Sequence, residues 1–337
     1  MIARHFALCF AAAAAMLIPA IASAAKIPAT IAAFSQPHLS SDQNYRQLGA
    51  ALEKAPGAPF DVKLLILGEL GSDEAHFTAL RRDRVQIVGV GYQSISTAVP
   101  EFTVVNAPFL FESWEEYDFV IDHFLVPALN TLLDGKGLHG LRHYGMVWHG
   151  VYGRKPLVEP GDVKSLRFRA LIDSSSQMMA EELKTDMIQV ASTETLTGLQ
   201  TGLLDGGETN QLVYVMTAID SEAKYWTATH HTASMLGVIA LKSWWDRLTP
   251  EQQAAVDGGY PDTATARTNI RADGLREIAR AVERGAIVHQ LGPEARARWV
   301  AATLPVHKRL VEVTGGQSQR LYDLIIEGKR AFAARRQ

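Results

Sequence analysis

Two pieces of the run from residue 158 to 210 decide how the chain reads: Leu166-Arg167-Phe168-Arg169-Ala170, and Leu199-Gln200-Thr201-Gly202-Leu203-Leu204-Asp205-Gly206-Gly207-Glu208-Thr209-Asn210. In the first, Leu166, Phe168 and Ala170 alternate with Arg167 and Arg169, the period of two of a strand whose successive side chains face opposite ways. Both arginines therefore share one face. At the end of such a strand an arginine turns its planar fork of donors into a cleft, where two parallel bonds to a carboxylate fit it best. The plain alternative is a pair of solvated arginines at a strand edge. Thr209 and Asn210 follow as neutral hydrogen-bonding groups for the same anion, or as part of a simple turn.

Outside this run strands and helices alternate. Residues 29–34 read as a strand entering the loop Ser35-Gln36-Pro37-His38, and Ser40 or Ser41 can cap a helix over 42–54. A strand over 62–67, a helix opened by Asp73 and Glu74, and a strand over 85–91 come next. This order predicts an α/β fold with mostly parallel sheets flanked by helices. In such sheets ligands lie beyond the carboxyl ends of the strands, which puts Gln36, His38, Asp73, Tyr92 and Gln93 on one rim as candidate contacts. Further on, 114–133 is an amphipathic helical region and 138–148 a strand leading to a second lobe. Strands are expected over 187–190 and 235–241, and a long helical region, interrupted near 258–261, follows Thr249.

The chain resembles the solute-binding proteins of tripartite ATP-independent periplasmic (TRAP) transporters over nearly its whole length. The resemblance rests on Gly68-Glu69-Leu70-Gly71 with Glu74 and Ala79-Leu80-Arg81, and on Val99-Pro100-Glu101-Phe102 leading to Ala107-Pro108-Phe109-Leu110-Phe111. It continues through Lys164-Ser165-Leu166-Arg167-Phe168-Arg169, Leu199-Gln200-Thr201-Gly202 with Asp205-Gly206, and Trp244-Trp245-Asp246-Arg247-Leu248-Thr249-Pro250-Glu251-Gln252-Gln253. It implies a two-lobed periplasmic binding protein-like fold of type II with a long helix spanning the lobes. Lobe I is expected over 25–147 and 236–270, lobe II over 148–235, and C-terminal helices over 271–337. It further implies that Arg169 pairs with the carboxylate of an organic anion, and that a small and a large integral membrane permease subunit are the partners.

The family pattern also fails in places. Members commonly carry Asp-Gly-Gln-Glu-Asn, where this chain has Gly207 for the glutamine and Thr209 for the asparagine, with Asn210 next. A second arginine found in acid-sugar binders has no match among residues 148–152, and an aromatic that stacks on substrate in some members corresponds to Ser192. Fewer cations, together with Tyr92, Trp148 and Tyr214, point to a monocarboxylate with an apolar or aromatic body, although each ring is also ordinary core material.

Composition narrows the function classes. The 337 residues are 47% hydrophobic and 20% charged, enough for two cores. Residues 1–24 combine Arg4, an apolar run, Pro19 and Ala22-Ser23-Ala24, the pattern of a cleaved secretory signal, with an uncleaved anchor as the alternative. Cys9, the single cysteine, falls inside it. A periplasmic monomer without disulfides is expected. The net charge of −3 gives no basic footprint for nucleic acid, and no later apolar stretch has membrane-spanning length.

No Gly-x-Ser-x-Gly elbow occurs, Gly89-x-Gly91-x-x-Ser94 lacks the third glycine of a dinucleotide loop, and His139, His143 and His149 fit no zinc spacing. His230 and His231 point to opposite sides if extended. No cofactor, metal or catalysis is therefore expected. The alternatives are a secreted enzyme on a similar scaffold, or a binding protein serving an ABC importer or a sensor.

Overall fold

Alternating burial builds the sheets of this computed structural model, which describes residues 25–335. The expected leader over 1–24, with Cys9, lies outside the described residues. In β1 (Ile27–Ala33), Ala29, Ile31 and Ala33 enter the core on one face while Ala32 enters the core on the other. In β3 (Ile87–Gly91), Ile87 joins the first core and Val88 and Val90 the second. Sheet faces covered on both sides by helices leave their strands almost wholly apolar. Burying each of the isoleucines and valines contributes about 1.5–3 kcal/mol, and each alanine methyl less.

The remaining strands are β2 (Phe60–Leu65), β4 (Leu138–Gly153), β5 (Arg167–Arg169), β6 (Asp186–Ile188), β7 (Gly206–Asn210), β8 (Tyr225–Ala228), β9 (Ala233–Leu241) and β10 (Ile287–Gln290). Their hydrogen-bonded order is β2-β1-β3-β9-β4-β7-β5-β6, with β8 pairing β4 and β10. Within the first lobe β2, β1 and β3 are parallel, and within the second β7, β5 and β6 are parallel. The antiparallel pairs gather around β4 and β9, which join the lobes.

β4 differs from its expected end at residue 148. It runs 16 residues and changes partner within its length, pairing β9 up to Trp148 and β7 from His149 onward. Register shifts at Gly140/Arg142 and Gly145/Trp148 interrupt the period of two. An alternation read from sequence is lost at such points.

The helical region over 114–134 is broken by a wide turn at Ile121–Leu125, before a helix carrying Pro127 in its first turn. The helix Pro250–Gly259 is opened by proline and a reciprocal cap between Thr249 and Gln252. The chain breaks at Tyr260-Pro261 and resumes as the 21-residue helix Thr263–Glu283, capped by Asp262. This long helix touches both lobes. Arg271 forks onto Asp118 at 2.6–2.7 Å, and Asp273 accepts from the amide and hydroxyl of Ser40. Just past its end Arg284 donates to Asp220. Ser40 is thus held by the long helix rather than capping its own, whose N-cap position is Leu39.

Candidate functional site

Arg169 sits in β5 between β6 and β7, directly opposite Gly207. A Cβ at Gly207 would lie 2.7 Å from the Cβ of Arg169 and 2.6 Å from the Tyr152 hydroxyl, so the missing side chain is what lets Arg169 lie across β7. Arg169 is 4% exposed. Its Nε donates to the Val190 carbonyl at 3.3 Å and its Nη1 to the Glu208 carbonyl at 3.1 Å. Among the described residues no carboxylate side chain pairs with it. Arg167, two residues earlier, is spent on an exposed ion pair with Asp205. One arginine of the pair is a surface group and the other a buried cation.

Arg169 lines a cavity of about 130 Å³ between the lobes. A single ordered water needs about 10–15 Å³ of such space, so this one is sized for a small organic molecule. Its walls are largely apolar. Phe34 and Leu39 come from the first lobe, Leu171, Leu212 and Met216 from the second, Met146 and Leu236 from the joining strands, and Ile270 from the long helix. Polar groups interrupt them: Ser41, Tyr45, Asp73, Glu74, Gln93 and Ser94 on the first lobe, Ser192, Thr209 and Asn210 on the second, and His149 and Ser234 on the joining strands, besides Arg169 itself. Burial pushes the Asp73 carboxyl up to about 7 against the opposing Gly91 N–H, 2.8 Å away. Its side chain still keeps 34% of its surface open to water, which moderates the push.

Three further side chains meet behind Arg169. His149 also lines the cavity, is 2% exposed, and has no hydrogen-bond partner among the described residues at either ring nitrogen. Its Nδ1 is 3.7 Å from Glu208 Oε2, and the same oxygen lies 2.6 Å from His231 Nε2. The other oxygen of Glu208 accepts from Ser176, and His231 Nδ1 meets the Thr229 hydroxyl at 2.7 Å. Burial pushes the Glu208 carboxyl up, yet the two imidazoles outweigh it and hold the group below the usual carboxylate range. For His149 burial dominates and lowers the pKa. A satellite cavity of about 10 Å³ on the far side is lined by Glu208, His231, Asp173 and Asn106.

Of the sequence candidates, the fold brings Arg169, Thr209, Asn210, Asp73 and Gln93 to one cavity. Asn210 is already engaged, as the N-cap of the helix Gln211–Met216 accepting from Val213 N and donating to Ser234. Gln36 and His38 face a separate outer cavity with Glu277 and Arg284. The three aromatic candidates are corrected. Tyr92 is fully buried against Phe102 with its hydroxyl on His143. Tyr214 packs on Trp226 and donates to the Ala223 carbonyl. Trp148 stacks on Trp114 at 4.3 Å. All three rings are claimed by the lobes' own cores, where large aromatic area contributes most.

His149, Glu208 and His231 were not among the candidates. Their sequence distance hid them, and the expectation that no histidine constellation forms gives way to one built from β4, β7 and the segment before β9. His143 and His139 stand apart, on Tyr92 with Asn130 and on Trp245.

A family model described as bacterial extracellular solute-binding protein, family 7, matches residues 32–313. A solute-binding protein of Verminephrobacter eiseniae (strain EF01-2) is 26% identical over 293 residues, covering 82% of this chain and 85% of its own. The C4-dicarboxylate-binding periplasmic protein DctP of Rhodobacter capsulatus is 24% identical over 271 residues, covering 79% and 81%. A crystal structure of a TRAP periplasmic solute-binding protein from Roseobacter denitrificans with bound β-D-glucuronate has a TM-score of 0.82 at 21% identity, covering 88% of this chain and 98% of that one. The two-lobed α/β fold is the same. With the Arg169 strand, the cavity between the lobes and the long helix all inside the matched span, the chain belongs to the bacterial extracellular solute-binding proteins of family 7.

Proposed function

We propose that this protein is a periplasmic receptor that captures a small organic acid between its lobes and hands it to integral membrane permease subunits of a TRAP transporter, making and breaking no bond. The observation that carries the reading is Arg169, a buried guanidinium that meets no carboxylate side chain among the described residues and opens on a cavity. An unpaired buried charge is costly, and a captured carboxylate relieves that cost. The relatives support the class of ligand, since C4-dicarboxylates and β-D-glucuronate both carry the group that Arg169 suits.

The finer reading is a monocarboxylate with an apolar body. Phe34, Leu39, Met146, Leu212, Met216 and Ile270 offer little to a polyhydroxylated chain. A second carboxylate reaching the first lobe would meet Asp73 and Glu74. Among the described residues no helix is long and apolar enough to cross a membrane.

A thermal-shift panel of monocarboxylates, dicarboxylates and sugar acids, followed by calorimetry of the hits, tests both levels. Stabilisation by apolar monocarboxylates alone is expected. Stabilisation by sugar acids or dicarboxylates alone ends the finer reading, and silence across all three classes ends the coarser one.

A further inference from the structure

We infer that His149, Glu208 and His231 form a binding site for a borderline divalent cation of the zinc class, set in the wall between the ligand cavity and the satellite cavity. The inference stands on these three side chains and does not depend on which acid the receptor takes.

The donor atoms lie within 4.8 Å of one another. Tetrahedral zinc with bonds of about 2.0–2.2 Å spreads its donors roughly 3.4 Å apart. The His149–Glu208 separation of 3.7 Å is already near that, and the 2.6 Å contact between His231 and Glu208 opens to it where a cation takes the place of their hydrogen bond. Two imidazoles and one carboxylate suit zinc, cobalt and nickel, whereas calcium and magnesium require mostly oxygen.

The surroundings match a metal's outer layer. Thr229 fixes His231 through Nδ1, so that Nε2 faces the centre, and Ser176 holds the second oxygen of Glu208. All three side chains are at most 3% exposed. His149 carries the argument furthest. Both of its ring nitrogens are buried without a partner among the described residues, and leaving such a group unsatisfied costs about 1–3 kcal/mol. A cation beside Glu208 satisfies Nδ1.

The mature protein, stripped with a chelator and desalted, is titrated with zinc chloride by calorimetry, and its bound metal is counted by elemental analysis after gel filtration. Cobalt chloride supplies a second readout, the visible absorption of a tetrahedral site. One zinc per chain with a dissociation constant tighter than about 10 µM is expected. His149→Gln and His231→Gln should each weaken it by more than the roughly 10–100-fold that outer-layer changes cost. His149→Ala serves as a second variant, with circular dichroism to verify folding. The exposed His38→Ala should leave it unchanged.

Failure of zinc, cobalt and nickel to bind tighter than about 100 µM overturns the proposal, as does full zinc binding in either glutamine variant. Loss of acid binding in His149→Gln without metal binding to the wild type also overturns it, assigning His149 to the acid directly. Because metal is read without any acid present, its absence leaves the receptor reading intact.

Discussion

A single guanidinium separates this cleft from an ordinary polar crevice, because Arg169 is held by two carbonyls and, among the described residues, balanced by no carboxylate side chain. Replacing it removes the charge-assisted bonds to the ligand, each contributing about 1.5–3 kcal/mol, so Arg169→Ala should lose at least about 100-fold in affinity for the acid found by the panel. Arg169→Lys keeps the charge without the fork and should lose about tenfold or more. Ligand-free stability should change by less than about 1 kcal/mol, since two lost hydrogen bonds offset relief of an unpaired buried charge. Calorimetry and urea denaturation check the two halves, and unchanged affinity in Arg169→Ala removes the residue from its role. Arg169 was legible from a local alternation of five residues. His149 was not, since its direction depends on a β4 register that shifts between Gly145 and Trp148. Glu208 lay unremarked inside a quoted motif because only His231, 23 residues later in the chain, makes its carboxylate more than another acid.

Strands in this molecule are shaped by what rests against them, and Gly89 of β3 shows it most sharply. A Cβ there would stand 1.6 Å from the Tyr45 hydroxyl, so the glycine exists for the ring of the helix Ser40–Glu53 rather than for a phosphate loop. Gly89→Ala should destabilise the protein by about 1–3 kcal/mol, the usual cost of overpacking, measured as a lower urea midpoint with unchanged slope. A neutral result would mean that the helix rides loosely enough on β3 to make room for a methyl group. At the second lobe, Asn210→Ala removes both an N-cap and a bond to Ser234 and should cost about 1 kcal/mol or more by the same assay. Short apolar runs bounded by turn residues, such as β1 and β3, were readable. β8 and β10 were not, being four residues each and paired across about sixty residues of chain, where no local period announces the partner.

The lobes move as bodies only if what ties them at the back of the cleft permits it, and Asp173 is one such tie. It precedes the helix Ser174–Glu182 of the second lobe, and its Oδ2 accepts from Thr103 and Asn106 of the first. Its other oxygen is buried without a hydrogen-bond partner among the described residues. The two-lobed shape was readable from the order of elements and from the family pattern, but this contact was not, since it joins the short helix Pro100–Asn106 to a helix start about seventy residues away. Burial pushes its carboxyl up to about 6, and Glu208 adds to the push, while the bond from Asn106 opposes it. The folded chain therefore keeps a proton on Asp173 at pH values where the unfolded chain, with an ordinary value of about 4, has released it. Across that window the folded state binds more protons, so stability from this group falls as pH rises from about 4 to about 6 and is level above. The full swing is on the order of 2–3 kcal/mol. Asp173→Asn keeps an acceptor for Asn106 and Thr103 and cannot ionise, so it should gain on the wild type over that window and hold a constant advantage at neutral pH. Urea denaturation of both proteins at pH 4, 5, 6 and 7 measures the difference. Parallel profiles would show that Asp173 is ionised in the folded state throughout, with water reaching the back of the cleft.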